Sequence, residues 1–97
     1  FPPGDDAWRD ADSIDLLGRV TAFLRDAGFR PVNVDVSVVC EAPLLAHHIP
    51  VMRGRLAAAL GVEVGAVSVK ATTNEGMGWV GRGEGIAALA VAVVARD

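Results

Sequence analysis

Aromatic residues make up only 5% of this 97-residue chain, while valine and alanine abound, so its core must be thin and built from small side chains. Cysteine is nearly absent. A lone Cys40 excludes an internal disulfide and fits a reducing, cytoplasmic setting. Basic charge is not in excess: 9 lysines and arginines against 12 acidic residues give a net charge of -3. That balance leaves no footprint for nucleic acid or for an anionic membrane surface. No charge-free apolar run reaches the roughly 18 residues of a spanning helix. Phe1-Pro2-Pro3-Gly4 lacks the basic start and apolar centre of a signal peptide. Internal repeats and low-complexity tails are also missing. What remains is 52% hydrophobic and 22% charged, a globular composition at a length suited to a single domain, 1–97.

Residues 1–11, with Pro2, Pro3, Gly4 and several aspartates, read as an acidic loop. Asp12 or Ser13 then caps a helix whose apolar stripe is Leu16, Leu17, Val20, Phe23, Leu24 and Ala27, with Gly28 as its stop. Arg19, Arg25 and Asp26 fall on its wet face. Val32, Val34, Val36 and Val38 alternate with Asn33, Asp35 and Ser37, the period of a half-buried strand that closes on Val39 and Cys40. Glu41-Ala42-Pro43 breaks it. A second helix begins near Ile49-Pro50, carries Ile49, Met52, Leu56, Ala59 and Leu60 on one stripe, and ends at Gly61. Val67 to Thr72 is a short strand. Ile86 to Ala95, apolar throughout, reads as a strand covered on both faces. Together these elements give an α+β fold, two helices packed on a small mixed sheet.

Chemistry concentrates between the last two strands. Thr72, Thr73, Asn74 and Glu75 present two hydroxyls, an amide and a carboxylate in succession. Five glycines follow within ten residues (76, 78, 81, 83 and 85), interleaved with Trp79, Arg82 and Glu84. Such a density implies backbone at positive φ or pressed against something a Cβ would strike. Hydroxyls, a carboxylate and an arginine beside it suit a diphosphate and its cation. A bland reading stands beside this one: a glycine-rich hairpin, with Trp79 as packing and Arg82–Glu84 as an ion pair across the turn. His47-His48 suggests a metal, but neighbouring histidines share no face, and no acidic or cysteine partner lies at ligand spacing.

Lys70-Ala-Thr-Thr-Asn-Glu75 followed by Gly78-Trp-Val-Gly-Arg-Gly-Glu-Gly85 resembles the 2-C-methyl-D-erythritol 2,4-cyclodiphosphate synthase family. Asn33-Val-Asp35, Ala42-Pro43, His48-Ile-Pro-Val-Met-Arg53, Phe1-Pro2 and Ala11-Asp12-Ser13 fit the same family, so the resemblance runs along the whole chain. It implies a lyase of non-mevalonate isoprenoid biosynthesis. That enzyme cyclises 4-diphosphocytidyl-2-C-methyl-D-erythritol 2-phosphate to the 2,4-cyclodiphosphate and releases CMP. It also implies a homotrimer with sites between subunits, and a sheet completed by an N-terminal segment that this sequence does not contain.

The same resemblance distributes roles. Phe1, Pro2, Pro3, Gly4 and Asp5 fold over the sugar alcohol. Cys40, Glu41, Ala42, Pro43, Leu44, Leu45 and Ala46 cradle the cytosine, largely through backbone groups, with Leu44 where the family commonly has lysine. Thr72 and Asn74 hold the nucleotide, Asn74 standing where threonine is usual. Thr73 is the catalytic residue, and Glu75 binds magnesium or manganese. Trp79 and Arg82 approach the trimer axis, where an isoprenoid diphosphate can lie. Zinc belongs to the family's Asp-x-His and a further histidine, which lie in the missing segment. The chain alone is therefore expected to be inactive. Two alternatives follow: a truncated trimer scaffold that binds cytidine nucleotide without turnover, or an unrelated anion-binding regulatory module.

Overall fold

The computed structural model describes residues 12–42, 45–73 and 75–97. The acidic opening loop, Phe1 to Asp5 within it, and Pro43, Leu44 and Asn74 lie outside the described residues. Of the two candidate caps, Asp12 takes the role. Its Oδ1 accepts the Ile14 N–H at 2.8 Å and starts α1 (Ser13–Asp26). The stripe of this helix differs from the expected one. Leu16, Leu17 and Leu24 are half-buried, but Val20 is exposed and Phe23 is 62% exposed. Thr21 is buried in their place, its hydroxyl donating to the Leu17 carbonyl at 3.0 Å. The covered face therefore runs through Leu17, Thr21 and Leu24. A threonine is tolerated there because its hydroxyl is satisfied within its own helix. Arg25, expected on the wet face, is exposed but also reaches the end of the second helix, where Nη2 donates to the Leu60 carbonyl at 3.4 Å.

Strand β1 spans Phe29–Val39, three residues longer at its start than the alternation from Val32 indicates. Pro31 obscured that start, since proline cannot donate to a ladder. It is accommodated because β2 begins pairing only at Val34, and the register against β3 shifts between Pro31 and Asn33. A 3-10 turn, Ala46–His48, leads into α2 (Ile49–Leu60), with Pro50 in its first turn and Gly61 ending it at φ 70. Strand β2 (Val67–Thr72) follows, and β3 (Ala87–Arg96) closes the chain. The strand order is β2-β1-β3, with β1 and β2 parallel and β1 and β3 antiparallel. The α+β fold with a mixed sheet is thus the observed one. A further α-helical turn, Gly78–Gly81 inside the glycine loop, was not anticipated, nor were the 3-10 turns at Ala46–His48 and Val64–Ala66.

Helices α1 and α2 pack together over β1 and β2. Ala57, Val67 and Val69 form the core, packed by Val34, Val36, Ile49, Met52, Leu56 and Val62. Among the described residues Val67 is the largest side chain that is fully buried, so the core is as thin and small-grained as the composition implies. Ala57, and not only its neighbour Ala59, faces inward. Arg53 fastens α2 to the start of β2: Nε donates to the Val67 carbonyl at 2.8 Å and Nη2 to the Val64 carbonyl at 2.9 Å.

Strand β3 is left largely uncovered. Leu89 is 72% exposed, and Val91, Val93 and Val94 are exposed as well. Its register sets Leu89, Val91 and Val93 opposite Ser37, Asp35 and Asn33, on the face away from the helices. Ala88, Ala90 and Ala92 stand opposite Val38, Val36 and Val34, on the helix side.

Candidate active site

The two parallel strands end side by side, and the Cys40 N–H donates to the Thr72 carbonyl at 2.9 Å just past β1. Crevices at the carboxyl ends of parallel strands are recurrent ligand sites, because the chain diverges there and leaves backbone groups facing outward. Here the crevice is a cavity of about 150 Å³ lined by Cys40, Leu45, Ala46, His47 and Ala71 to Thr73. Its walls are mainly apolar, and the threonines at the end of β2 bring the polar groups. A flat heterocycle suits such a space better than a chain of charges.

Four of the expected nucleotide-side residues (Cys40, Leu45, Ala46 and Thr72) and the expected catalytic Thr73 meet in this one cavity. Cys40 is buried, and its Sγ donates to the Ala42 carbonyl at 3.1 Å, which folds the segment after β1 back toward the strand. Cys40 is thus a small buried residue in the pocket wall, as expected. His47 and Ala71 line the cavity too and were missed by the sequence reading. Ala71 carried a signal: it is the last apolar position of the alternation Val67, Val69, Ala71. His47 carried none, since its place depends on how the 3-10 turn folds over the strand ends.

Beyond Thr73 the chain turns sharply. Thr73 Oγ1 accepts the Glu75 N–H at 3.3 Å, and Glu75 adopts φ 53, the one positive-φ residue other than glycine among those described. A left-handed glutamate is uncommon and costs about 1 kcal/mol or more. The turn is held by Glu41, whose Oε1 accepts the Gly76 N–H at 3.0 Å. On its other side Gly81 packs so closely that a Cβ there would collide with the Gly76 backbone. The glycine loop thus shows both behaviours inferred from its composition. Gly76 takes positive φ, and Gly81 is pressed against another backbone.

Val80 is the buried anchor of the helical turn. Trp79 is half exposed and packs over Gly85, where a Cβ would come within 2.7 Å of the ring. Arg82 and Glu84 form a two-pronged pair, Nε to Oε1 at 2.9 Å and Nη2 to Oε2 at 3.2 Å. Trp79 and Arg82 are therefore not brought into the cavity in this chain. Among the described residues no three histidine, cysteine, aspartate or glutamate side chains are placed to share a metal. Glu75, exposed on its turn, fits a magnesium or manganese ion of the kind that takes one carboxylate and completes its shell with water and phosphate. Among the described residues no helix is long and apolar enough to cross a membrane.

The sequence model of the YgbB family matches residues 1–95. A 2-C-methyl-D-erythritol 2,4-cyclodiphosphate synthase of Symbiobacterium thermophilum is 58% identical over 95 residues, which are 98% of this chain and 60% of that protein. The fold matches the bifunctional IspDF of Campylobacter jejuni with a TM-score of 0.93 at 31% identity, covering all of this chain and 26% of that one. It also matches the 2C-methyl-D-erythritol 2,4-cyclodiphosphate synthase of Plasmodium vivax at 0.86 and 28% identity, over 90% of this chain and 58% of that one. This chain spans about three-fifths of the length of the curated single-function relatives it matches.

Proposed function

The chain belongs to the YgbB family, and from that premise we propose that it carries the nucleotide-binding and phosphoryl-transfer part of a 2-C-methyl-D-erythritol 2,4-cyclodiphosphate synthase. The observation that carries this reading is the single cavity formed by Cys40, Leu45, Ala46, Thr72 and Thr73, with Glu75 on the adjoining turn. The reading as an unrelated anion-binding module is set aside by the family match.

The reaction is an intramolecular displacement at phosphorus. An oxygen of the substrate's 2-phosphate forms a bond to the β-phosphorus. The bond from that phosphorus to the oxygen bridging toward the α-phosphate breaks, and CMP leaves with that oxygen. No side chain need bond covalently to the substrate. The protein must hold two anions in line and offset the charge that builds between them.

The cavity takes the cytosine, and the outward backbone of the segment from Cys40 to Ala46 reads its edge. Thr72 steadies the nucleotide at the strand end, together with Asn74 two residues further on. Thr73 directs its hydroxyl to the phosphoryl group in flight. Glu75 would hold a magnesium or manganese ion, whose positive charge would offset the negative charge of the phosphates. Phe1 to Asp5 close over the sugar alcohol. The family's zinc would be held by residues outside this sequence, and no step here is assigned to it. Trimer formation and an isoprenoid diphosphate near Trp79 and Arg82 complete the reading. Support for the trimer comes from the uncovered apolar stripe of β3.

The direct test supplies 4-diphosphocytidyl-2-C-methyl-D-erythritol 2-phosphate and a divalent ion to the full-length protein and follows CMP. One CMP per cyclic diphosphate formed is the expected stoichiometry. CMP without a cyclic product would make the protein a hydrolase, and no CMP would end the proposal.

A further inference from the structure

Glu41 stands where the nucleobase side and the cation side of the site meet. It is the second residue after β1, within the segment that lines one side of the cavity. Its side chain, however, reaches away from the cavity to a turn 35 residues further along, where Oε1 accepts the Gly76 N–H at 3.0 Å. Gly76 has two further constraints. Gly81 packs directly against its backbone, and Glu75 before it is held at φ 53 with its N–H on Thr73 Oγ1. A left-handed glutamate persists only where its surroundings over-determine it. Among the described residues Glu41 supplies such a contact from a different segment, and a carboxylate accepting an N–H is a strong hydrogen bond.

We propose that Glu41 is a positioning residue whose carboxylate fixes the Glu75–Gly76 turn, so that the Glu75 carboxylate is presented to the divalent cation. This rests on the reading of Glu75 as the cation ligand. It adds a physical link: the segment that closes over the nucleobase and the turn that carries the cation move as one piece. Glu41 itself does not touch the reacting groups.

The experiment uses the full-length protein and three readouts: Mn²⁺ affinity by electron paramagnetic resonance at saturating CMP, CMP affinity by calorimetry without metal, and exchange of the Gly76 amide by NMR. Outer-shell partners of a metal ligand are worth about 10- to 100-fold in affinity, so Glu41→Ala is expected to weaken Mn²⁺ by about tenfold and, because the segment from Cys40 to Ala46 reads the base through its backbone, to weaken CMP by clearly less than Mn²⁺. The Gly76 amide should exchange faster. Glu41→Gln retains an oxygen that can accept the same N–H, and is expected to restore Mn²⁺ affinity to within about threefold of the parent. Equal loss in both variants would make Glu41 a direct cation ligand and overturn the positioning role. Unchanged Mn²⁺ affinity in Glu41→Ala would overturn it as well. Should the parent bind no Mn²⁺, the reading of Glu75 falls and the cation half of this proposal with it. Unchanged Gly76 exchange in Glu41→Ala would separately remove the clamp.

Discussion

Asp35 on β1 and Lys70 on β2 form an ion pair, Nζ to Oδ2 at 3.5 Å, in the middle of the sheet face that the helices leave open. The pair is diagonal, since Asp35 is level with Ser68 and Lys70 with Ser37. Val91 and Leu89 lie beside it on the same face. Both side chains are more than half exposed in the single chain, and such a pair contributes at most about 1 kcal/mol. Covered by a neighbouring subunit it becomes a different object, because removing one partner of a buried pair costs about 3–5 kcal/mol. Asp35→Asn in the full-length protein is expected to cost that larger amount, and Asp35→Asn with Lys70→Met to recover part of it. Urea denaturation at several protein concentrations measures both. A loss below about 0.5 kcal/mol would mean that this face stays wet.

The apolar stripe beside that pair makes a stronger demand. Val91→Asp or Val93→Asp would place an unpaired carboxylate in a dry contact if subunits meet there, at a cost of several kcal/mol per subunit. Sedimentation at micromolar concentration should show the trimer dissociating or the chain failing to fold. A parent that sediments as a monomer, or a variant as stably trimeric as the parent, would place the assembly surface elsewhere.

Thr73 lines the cavity at the end of β2, and its hydroxyl is expected to act chiefly on the transition state. Thr73→Ala should then lower kcat by about 10²-fold, the usual loss for one stabilising donor, while CMP affinity falls far less. Because Thr73 Oγ1 also accepts the Glu75 N–H, Thr73→Ser is the control that keeps both bonds. Parallel losses in kcat and CMP affinity would make Thr73 a binding residue only.

Glu75 combines strain with a proposed ligand role, and two substitutions separate them. Glu75→Gly relieves the left-handed backbone and is expected to raise stability by up to about 1 kcal/mol while weakening Mn²⁺ dependence of activity. Glu75→Gln keeps the strain and loses the charge, so the metal dependence should weaken without the gain in stability. An unchanged metal titration in both would reduce Glu75 to a turn residue.

Much of this fold is written in local pattern. The alternation from Val32 to Val38 and the stop at Gly61 read correctly because one residue type decides a local geometry; the apolar run to Ala95 is a strand as read, but in the single chain it is uncovered rather than covered on both faces. Failures came where distant contacts decide. Thr21 is buried and Phe23 exposed because α1 is rotated against its neighbours, which no stripe of apolar letters encodes. The start of β1 hid behind Pro31, whose tolerance depends on where β2 begins to pair. In the site, the glycine density of the Thr72–Gly85 stretch anticipated its backbone, with Gly76 at positive φ and Gly81 pressed against another backbone. The Glu41 carboxylate on Gly76 could not be foreseen, because it joins segments 35 residues apart through a turn whose shape is set by Gly81.

Side-chain size on β3 alternates strictly from Ala88 to Val93, small toward the helix side and large toward the open face. A slip of one residue against β1 would exchange the two sets. The open face would then be paved with methyl groups and would offer a subunit nothing to interlock with. If subunits meet on that face, strand alignment is proofread by volume: a chain paired in the wrong register would still make its backbone bonds, but its open face would give a neighbour nothing to grip.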